Sequence, residues 1–174
     1  MKYLQEFRVF ENSSPLLELS NNADVELIYK IRGLISNGSI LEISCGNGAD
    51  AIELSKLGFN VTATDNCDDY IKYVNSNGVK CIKHDSKERF PFKNNSFDLV
   101  YSRLGLHYFS VDELKNIFDE ISRISKKYLV FTVKLVNDIP TGKVIFNEDT
   151  WRDLVSDKFE ILETRLEKYQ FVFP

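Results

Sequence analysis

The sequence predicts an α/β fold built on a largely parallel β-sheet. Strand and helix patterns alternate five times along the chain, which is typical of helices that cover the faces of such a sheet. A glycine turn, Gly46-Asn47-Gly48, follows the first strand, and an acid, Asp65, ends the second. Because loops at the carboxyl ends of parallel strands meet in one crevice, we expect both features at a common ligand site.

The size and composition of the chain predict one globular domain. Its 174 residues suffice for a proper core. The 22 basic and 26 acidic side chains give a net charge of -4, a poor electrostatic basis for binding nucleic acid. Apolar runs are short, so we expect neither a membrane-spanning helix nor a signal peptide. Three cysteines without a CxxC spacing favour a reduced, cytoplasmic setting.

The first half of the chain predicts three helices and three strands. Apolar residues at helical spacing define the first helix, which Gly38 ends. Asp68 caps the third helix, and Asn77-Gly78 ends it. The strands are short runs of β-forming residues. In order, the elements are a helix from Asn22, a strand at Ser39–Ser44, a helix at Ala49–Leu57, a strand at Phe59–Asp65, a helix from Asp68 to about Ser76, and a strand at Val79–Lys83.

The second half of the chain continues the alternation. A fourth strand is expected at Phe97–Ser102, and Ser110 with Glu113 forms a capping box that opens the next helix. Tyr128–Val136 is apolar nearly throughout, as expected of a strand covered on both faces. The remaining predicted elements are a helix at Asn147–Val155, expected to serve packing through Trp151, and β-segments at Phe159–Arg165 and Tyr169–Phe173.

The N-terminal residues have weak periodicity and mix aromatic side chains with a polar break. We therefore predict a flap over the site at residues 1–21, followed by one domain at residues 22–174.

Asp65 ends the second predicted strand about 20 residues after the glycine turn. At that spacing a carboxylate can accept hydrogen bonds from a ribose diol. Glycine lets the turn adopt positive φ and lets a ligand approach without meeting a Cβ atom, while the following helix offers free N–H groups. Asp85 ends the third strand in the same way and is suited to the edge of a base.

The local spacing alone does not identify the cofactor. Gly46, Gly48 and Ala51 also fit the pattern G-x-G-x-x-G/A of dinucleotide-binding proteins, which would bind NAD. Two observations disfavour NAD. Glu42 lies inside the first strand, where an unpartnered carboxylate is costly, so it is expected to anchor the turn or face the ligand. The chain is also too short for a separate substrate domain of ordinary size.

Taken in series, these motifs resemble the class I S-adenosylmethionine-dependent methyltransferases of the small single-domain type. Ile40–Gly48 is similar to the first signature of that family, and Asp65 to its ribose-binding acid. His84-Asp85-Ser86 is similar to the adenine-side segment. Phe90–Val100 resembles the segment that leads into and forms strand four, and Leu104–Phe109 resembles the loop after it.

The resemblance implies a doubly wound, Rossmann-like sheet of strand order 3-2-1-4-5 with an antiparallel C-terminal edge. It implies S-adenosylmethionine as the cofactor and S-adenosylhomocysteine as the product. His107 is the candidate base, and the alternatives are a structural role in its loop or a contact with the methionine end of the cofactor. Arg103 is the candidate to hold a carboxylate of cofactor or substrate, and the alternative is a plain surface charge. No metal is expected, since no ligand spacing supports one. The residues expected to bind the cofactor are Glu42, Ser44, Cys45, Gly46, Gly48, Asp65, Asn66, Asp85, Ser86 and Ser102.

The function predicted on this basis is methyl transfer to a small-molecule acceptor by a cytoplasmic monomer or homodimer, without nucleic-acid or membrane partners. Two alternatives stay open: an NAD(P)-binding redox protein, and a cofactor-binding subunit without activity of its own. The second alternative is suggested by two departures from the family pattern. Ser44 replaces the first glycine of the signature, where it could crowd the methionine part of the cofactor, and the terminal hairpin is short.

Overall fold

The computed structural model describes residues 2–11, 22–135 and 147–168, which form one sheet with helices on both faces. The strands are β1 (Tyr3–Glu11), β2 (Ser39–Ile43), β3 (Asn60–Asp65), β4 (Lys80–Lys83), β5 (Phe97–Arg103), β6 (Ser125–Leu135), β7 (Glu160–Ile161) and β8 (Thr164–Lys168). The helices are α1 (Val25–Leu34), α2 (Ala49–Lys56), α3 (Asp68–Ser76), α4 (Val111–Ile124) and α5 (Glu148–Ser156), with a 3-10 turn at Leu106–Tyr108.

The strand order of the sheet is β4-β3-β2-β5-β6-β1-β7, and β8 also pairs with β1. The part β4-β3-β2-β5-β6 is the predicted order 3-2-1-4-5, which is confirmed, and its neighbouring strands are all parallel. The chain runs outward from β2 to β4 and then returns to the other side of β2 as β5. This reversal opens a crevice at the carboxyl ends of β2 and β5, the place where such sheets bind ligands.

Two predictions about the sheet beyond β6 are wrong. Residues 3–11, predicted as part of a flap, form β1, which lies in the same sheet and pairs with β6 in parallel. The predicted antiparallel edge is replaced by β7 and β8, which both pair with β1 in parallel. Because α5 separates β6 from β7 along the chain, the last strands arrive through a helical crossover, which yields parallel pairing. Residues 12–21 and the predicted segment Tyr169–Phe173 lie outside the described residues.

Two apolar clusters fill the space between the sheet and its helices. The cluster under α1, α2 and α3 includes Leu27, Ile28, Ile31, Leu54 and Val74. The cluster under α4 and α5 includes Leu114, Ile117, Phe118, Ile121, Trp151 and Val155. Trp151 is fully buried, with its ring centroid 5.8 Å from that of Phe131 and 6.5 Å from that of Phe118. The predicted packing role of the Trp151 helix is therefore confirmed.

Helix α4 begins with the predicted capping box. The Glu113 backbone N–H donates to the Ser110 hydroxyl at 3.3 Å, and the Ser110 backbone N–H donates to the Glu113 carboxylate at 2.8 Å. These two bonds satisfy donors that a helix start leaves unpaired. Within the described ranges, every helix is too short or too polar to span a lipid bilayer.

The open edge of the sheet at β4 is covered by a side chain of α3. The Asn75 amide donates to the Cys81 carbonyl oxygen at 3.0 Å, and the Cys81 backbone N–H donates to the Asn75 side-chain oxygen at 3.2 Å. The amide thus replaces a missing strand partner. It blunts an edge that would otherwise be a template for pairing with another chain.

Asp98 ties the start of β2 to β5 and β6. Its carboxylate accepts the Ser39 backbone N–H at 2.8 Å, the Ser39 hydroxyl at 2.8 Å and the Lys126 ammonium at 2.9 Å. Partial burial disfavours the charged form, but these donors outweigh it and lower the pKa of Asp98 to about 2.

This pKa predicts how stability depends on acid. The pKa of Asp98 is lower in the folded state than its ordinary value of 3.8, so its contribution is present above that value and is lost as the pH falls towards 2. We expect the difference in unfolding free energy between wild type and Asp98→Asn to be largest above about pH 4 and to close at lower pH. Urea unfolding across a pH series measures it, with Asp69→Asn as an exposed control. A constant difference would contradict the expectation.

Candidate active site

A pocket of about 500 Å³ lies at the carboxyl ends of β2, β3, β4 and β5. The predicted site residues that line it are Glu42, Ser44, Cys45, Gly46, Asp65, Asn66, Asp85, Ser86, Arg103 and His107. Two further predicted residues, Gly48 and Ser102, do not line it. The structure therefore brings together most of the residues that the sequence indicated, from four separate strand ends.

The turn after β2 has a left-handed backbone at three alternate positions: Ser44 at φ 53°, Gly46 at φ 56° and Gly48 at φ 67°. A Cβ atom added to Gly46 would meet nothing within 4 Å. Glycine at this position therefore leaves the backbone of the pocket wall open to a ligand.

Gly48 and Ser102 do not line the pocket and make contacts inside the protein, so their predicted cofactor contacts stay predictions. A Cβ atom on Gly48 would lie 2.4 Å from Val74 Cγ2, so this glycine allows α2 to start close against α3. Ser102 is fully buried, and its hydroxyl donates to the Ile43 carbonyl oxygen at 3.1 Å. Gly48 serves helix packing, and Ser102 joins the end of β5 to that of β2.

Asp65 is buried at the end of β3 and holds two turns together. One carboxylate oxygen accepts the Gly46 backbone N–H at 2.8 Å, and the other accepts the Cys67 backbone N–H at 2.9 Å. Each oxygen has a second lone pair for a further donor. The carboxylate thus shapes the glycine turn while also lining the pocket.

The loop after β4 contributes the next wall of the pocket. Asp85 is half-exposed, and its carboxylate accepts the Lys87 backbone N–H at 3.0 Å. Ser86 is buried, with its hydroxyl 3.3 Å from that of Ser44. Asn66 is exposed at the pocket rim. The loops after β2 and β4 are therefore linked by the two serine hydroxyls.

Ser44, which replaces a glycine of the family signature, fits because another glycine lies opposite. A Cβ atom on Gly105 would lie 2.7 Å from Ser44 Cβ and 3.1 Å from Ser102 Oγ. The extra side chain at position 44 is thus accommodated by the absence of one at position 105.

This complementarity predicts an interaction between the two positions. We expect Gly105→Ala to lower the unfolding free energy by about 1–3 kcal/mol through overpacking. In the Ser44→Gly background the same change should cost about 1–2 kcal/mol less, since the opposing Cβ atom is gone. Urea unfolding of the four proteins in this double-mutant cycle measures the difference. Strictly additive effects would contradict it.

A buried charge network underlies the pocket between α2 and β5. Asp50 accepts the Tyr101 hydroxyl at 2.5 Å, the Asp24 backbone N–H at 2.7 Å and Arg103 Nε at 2.6 Å. Burial, followed by the nearby Asp50 charge, raises the pKa of Tyr101 well above its ordinary value, so Tyr101 remains a donor.

Glu42 is 3% exposed and lines the pocket above this network. Its Oε2 atom has no hydrogen-bond partner among the described residues. Burial and then the Asp50 charge raise the pKa of Glu42 well above its ordinary value, against the opposing effect of Arg103. A ligand that brings a positive charge to this oxygen would stabilise the ionised form.

Arg103 lines the pocket, but its guanidinium binds the protein itself. Besides the ion pair with Asp50, its Nη2 donates to the Asn22 carbonyl oxygen at 2.8 Å. These contacts favour a positioning role over the predicted contact with a carboxylate of the cofactor or substrate. Arg103 fastens the segment that leads into α1 beside the pocket.

His107 lies on the 3-10 turn after β5, is buried and lines the pocket. Its ring centroid is 4.4 Å from that of Tyr108, with the two planes inclined by 34°. The position is compatible with the predicted role as a base, which stays a prediction.

Seven pocket residues were not among the predicted site residues, although all except Tyr70 belong to motifs that the sequence analysis named. They are Asn47, Tyr70, His84, Leu104, Gly105, Tyr108 and Phe109. His84 adjoins the predicted Asp85; its ring centroid is 4.4 Å from that of Phe90, and its Nε2 has no hydrogen-bond partner among the described residues. Tyr70 could have been predicted as a pocket residue, because it is an aromatic residue in the first turn of α3, shortly after the strand end at Asp65.

Two cysteines lie in contact beside the pocket. The Cys45 sulfur lies 3.8 Å from that of Cys81. Among the described residues, no group of three or more histidine, cysteine or acidic side chains could hold a metal ion.

Comparisons with known proteins identify the family of the chain. The chain matches the family model described as a methyltransferase domain over residues 40–128, half of its length. It is 29% identical over 139 residues to the malonyl-[acyl-carrier protein] O-methyltransferase of Buchnera aphidicola subsp. Baizongia pistaciae. That match covers 79% of this chain and 49% of the relative, so the chain spans about half the length of the curated relative it matches.

Solved structures show the same fold. A TehB-like S-adenosylmethionine-dependent methyltransferase from Corynebacterium glutamicum superposes with a TM-score of 0.64 at 19% identity, covering 82% of this chain and 76% of that one. An S-adenosylmethionine-dependent methyltransferase from Methanosarcina mazei gives a TM-score of 0.60 at 19% identity, covering 74% and 82%. The chain belongs to the class I S-adenosylmethionine-dependent methyltransferase family. The predicted family and its cofactor, S-adenosylmethionine, are confirmed, and NAD is disfavoured.

The residues present fit S-adenosylmethionine. The unpartnered, buried oxygen of Glu42 suits the ammonium group of the methionine part. The open backbone at Gly46 admits a ligand without a Cβ clash, and the Asp65 carboxylate beside it suits the ribose hydroxyls. These three residues would hold the cofactor.

Proposed function

We propose that this chain transfers the methyl group of S-adenosylmethionine to a small-molecule acceptor. The observation that carries the proposal is the single pocket in which the buried Glu42 oxygen, the open Gly46 backbone and the Asp65 carboxylate meet. No other ligand chemistry suggested by the sequence uses all three. The ammonium group of the methionine part would pair with Glu42, and the ribose hydroxyls would bind Asp65.

The cofactor supplies an electrophilic methyl group on a positively charged sulfur, and the protein aligns the acceptor and excludes water. Tyr108 and Phe109 line the pocket next to His107 and offer apolar cover for an acceptor. A base is needed only where the acceptor must lose a proton. For such acceptors we assign that proton to His107.

The acceptor is proposed as a small molecule because the pocket volume of about 500 Å³ lies in the range of small-molecule sites. The matched relative is named as an O-methyltransferase of a malonyl group on a carrier protein, which supports an oxygen acceptor without identifying one. The net charge of -4 supports the prediction that nucleic acid is not a partner. The cytoplasmic location, the absence of a membrane partner and the monomeric or homodimeric state stay predictions.

Removing the Asp65 carboxylate is expected to weaken cofactor binding. We expect Asp65→Ala to lower the affinity for S-adenosylhomocysteine by about 1–3 kcal/mol, through lost charge-assisted hydrogen bonds and a loosened glycine turn. Isothermal titration calorimetry measures the effect. Asp69→Ala is the matched control, because Asp69 is an exposed acid on α3 outside the pocket. Unchanged affinity in Asp65→Ala would place the ribose elsewhere.

The proposed activity is tested with S-adenosylmethionine labelled at its methyl group and a panel of small acceptors. The proposal expects saturable binding of S-adenosylhomocysteine, no saturable binding of NADH, and transfer of label to at least one acceptor. NADH binding without nucleoside binding would favour the redox alternative. Nucleoside binding without any turnover, together with a copurifying protein, would favour the non-catalytic subunit.

A further inference from the structure

Two thiols lie in contact beside the pocket and take no part in the proposed transfer. Cys45 and Cys81 are both free and buried, and their sulfur atoms are 3.8 Å apart. Cys45 also lines the pocket, whereas Cys81 lies on the edge strand β4. The third cysteine, Cys67, is half-buried just before α3.

Backbone hydrogen bonds determine where the two cysteines lie in the reduced protein. The Cys45 backbone N–H donates to the Thr64 carbonyl oxygen at 3.0 Å, and both backbone groups of Cys81 bind the Asn75 amide. Between them, β3 presents Ala63 at the register of Cys81. Because alanine has a small side chain, the two sulfurs meet in the same apolar cluster.

We propose that Cys45 and Cys81 form an oxidative modification site, at which a hydroperoxide entering through the pocket converts the two thiols into a disulfide. Disulfides of this kind in a reducing compartment are transient and sense oxidants. The site is separate from the methyl-transfer chemistry, although it shares the entrance of the pocket.

The reaction is a two-electron oxidation of the pair. Cys45 lines the pocket through which the hydroperoxide enters, so its thiol is assigned the first step. The Cys45 thiol loses its proton, its sulfur attacks the terminal oxygen of the hydroperoxide, the O–O bond breaks, and the leaving alkoxide (or hydroxide) takes up that proton as an alcohol (or water). The Cys81 sulfur then attacks the resulting Cys45 sulfenic acid, and the displaced hydroxide takes up the Cys81 proton as water.

The disulfide would change the nucleoside site. A disulfide needs an S–S distance of about 2.05 Å, so the sulfurs must approach one another from 3.8 Å. Cys45 belongs to the turn whose Gly46 N–H binds Asp65. Drawing Cys45 towards β4 shifts this turn, so the oxidised protein should bind S-adenosylhomocysteine more weakly than the reduced protein.

The test uses the whole chain treated with hydrogen peroxide, followed by alkylation of the remaining thiols and peptide mapping by mass spectrometry. We expect a Cys45–Cys81 linked peptide that dithiothreitol removes, with Cys67 alkylated. With S-adenosylhomocysteine at 100 times its dissociation constant, the disulfide should form about 100-fold more slowly, because only the protein without bound nucleoside reacts. Cys67→Ser is expected to form the same link, whereas Cys45→Ser and Cys81→Ser form none.

The outcomes separate this proposal from the proposed function. Peroxide treatment without the linked peptide, or links that involve only Cys67, would overturn the thiol site even if the nucleoside binds well. A link that forms equally fast with the nucleoside bound, as shown by calorimetry on the same sample, would overturn access through the pocket. Formation of the link in a protein that binds no nucleoside would support the thiol site and count only against the proposed function.

Discussion

Replacing Arg103 with methionine is expected to lower the free energy of unfolding by about 3–5 kcal/mol. The physical reason is the Asp50 carboxylate, which is 1% exposed and accepts Arg103 Nε at 2.6 Å. Without the guanidinium, the buried Asp50 carboxylate keeps two hydrogen-bond donors among the described residues, the Tyr101 hydroxyl and the Asp24 N–H. Urea unfolding of the two proteins measures the loss.

A double-mutant cycle identifies the ion pair as the cause. Asp50→Asn combined with Arg103→Met should cost less than the sum of the single changes, since neither charge is then stranded. Lys72→Ala is the matched control, because its pair with Asp69 is exposed and should contribute at most about 1 kcal/mol. An Arg103→Met protein that unfolds at the wild-type urea concentration would refute the buried pair.

Gly48→Ala is expected to destabilise the protein by about 2–5 kcal/mol, from backbone strain and overpacking together. The backbone at Gly48 has a φ of 67°, which a Cβ atom disfavours. That atom would also lie 2.4 Å from Val74 Cγ2, on a branched side chain in a buried position. The loss is measured by thermal or urea unfolding.

The control for Gly48→Ala is Gly78→Ala. Gly78 also has a positive φ, 84°, but an added Cβ atom would meet nothing within 4 Å. Gly78→Ala should therefore lower the free energy of unfolding through backbone strain alone, by about 1–2 kcal/mol. If both variants lost the same unfolding free energy, the contact with Val74 would add no destabilisation, which would contradict the expectation.

The strand order could be predicted because it rests on local signals. The strands β2 to β6 are runs rich in β-forming residues between turn or helix signals, and parallel crossovers follow regular rules. The position of β1 could not be predicted in this way. Nothing within residues 3–11 shows that their partner is β6, more than 100 residues away in sequence, so the pairing is a tertiary property.

The site residues also fall into two groups, those that local signals predict and those whose contacts depend on the packed structure. Asp65 and Asp85 were predictable because each ends a strand at the rim where ligands bind. The partners of Arg103, Gly48 and Ser102 come from other elements, namely Asp50, Val74 and Ile43. Their residue types fit a ligand contact as well as an internal one, so only the packed structure distinguishes the two roles.

A crystal structure with S-adenosylhomocysteine bound tests the central claim most directly. We predict ribose hydroxyls within hydrogen-bonding distance of the Asp65 carboxylate, the amino group of the ligand at Glu42 Oε2, and the base beside Asp85. A nucleoside bound outside this pocket, or an Asp65 carboxylate that contacts only the Gly46 and Cys67 N–H groups, would contradict the account.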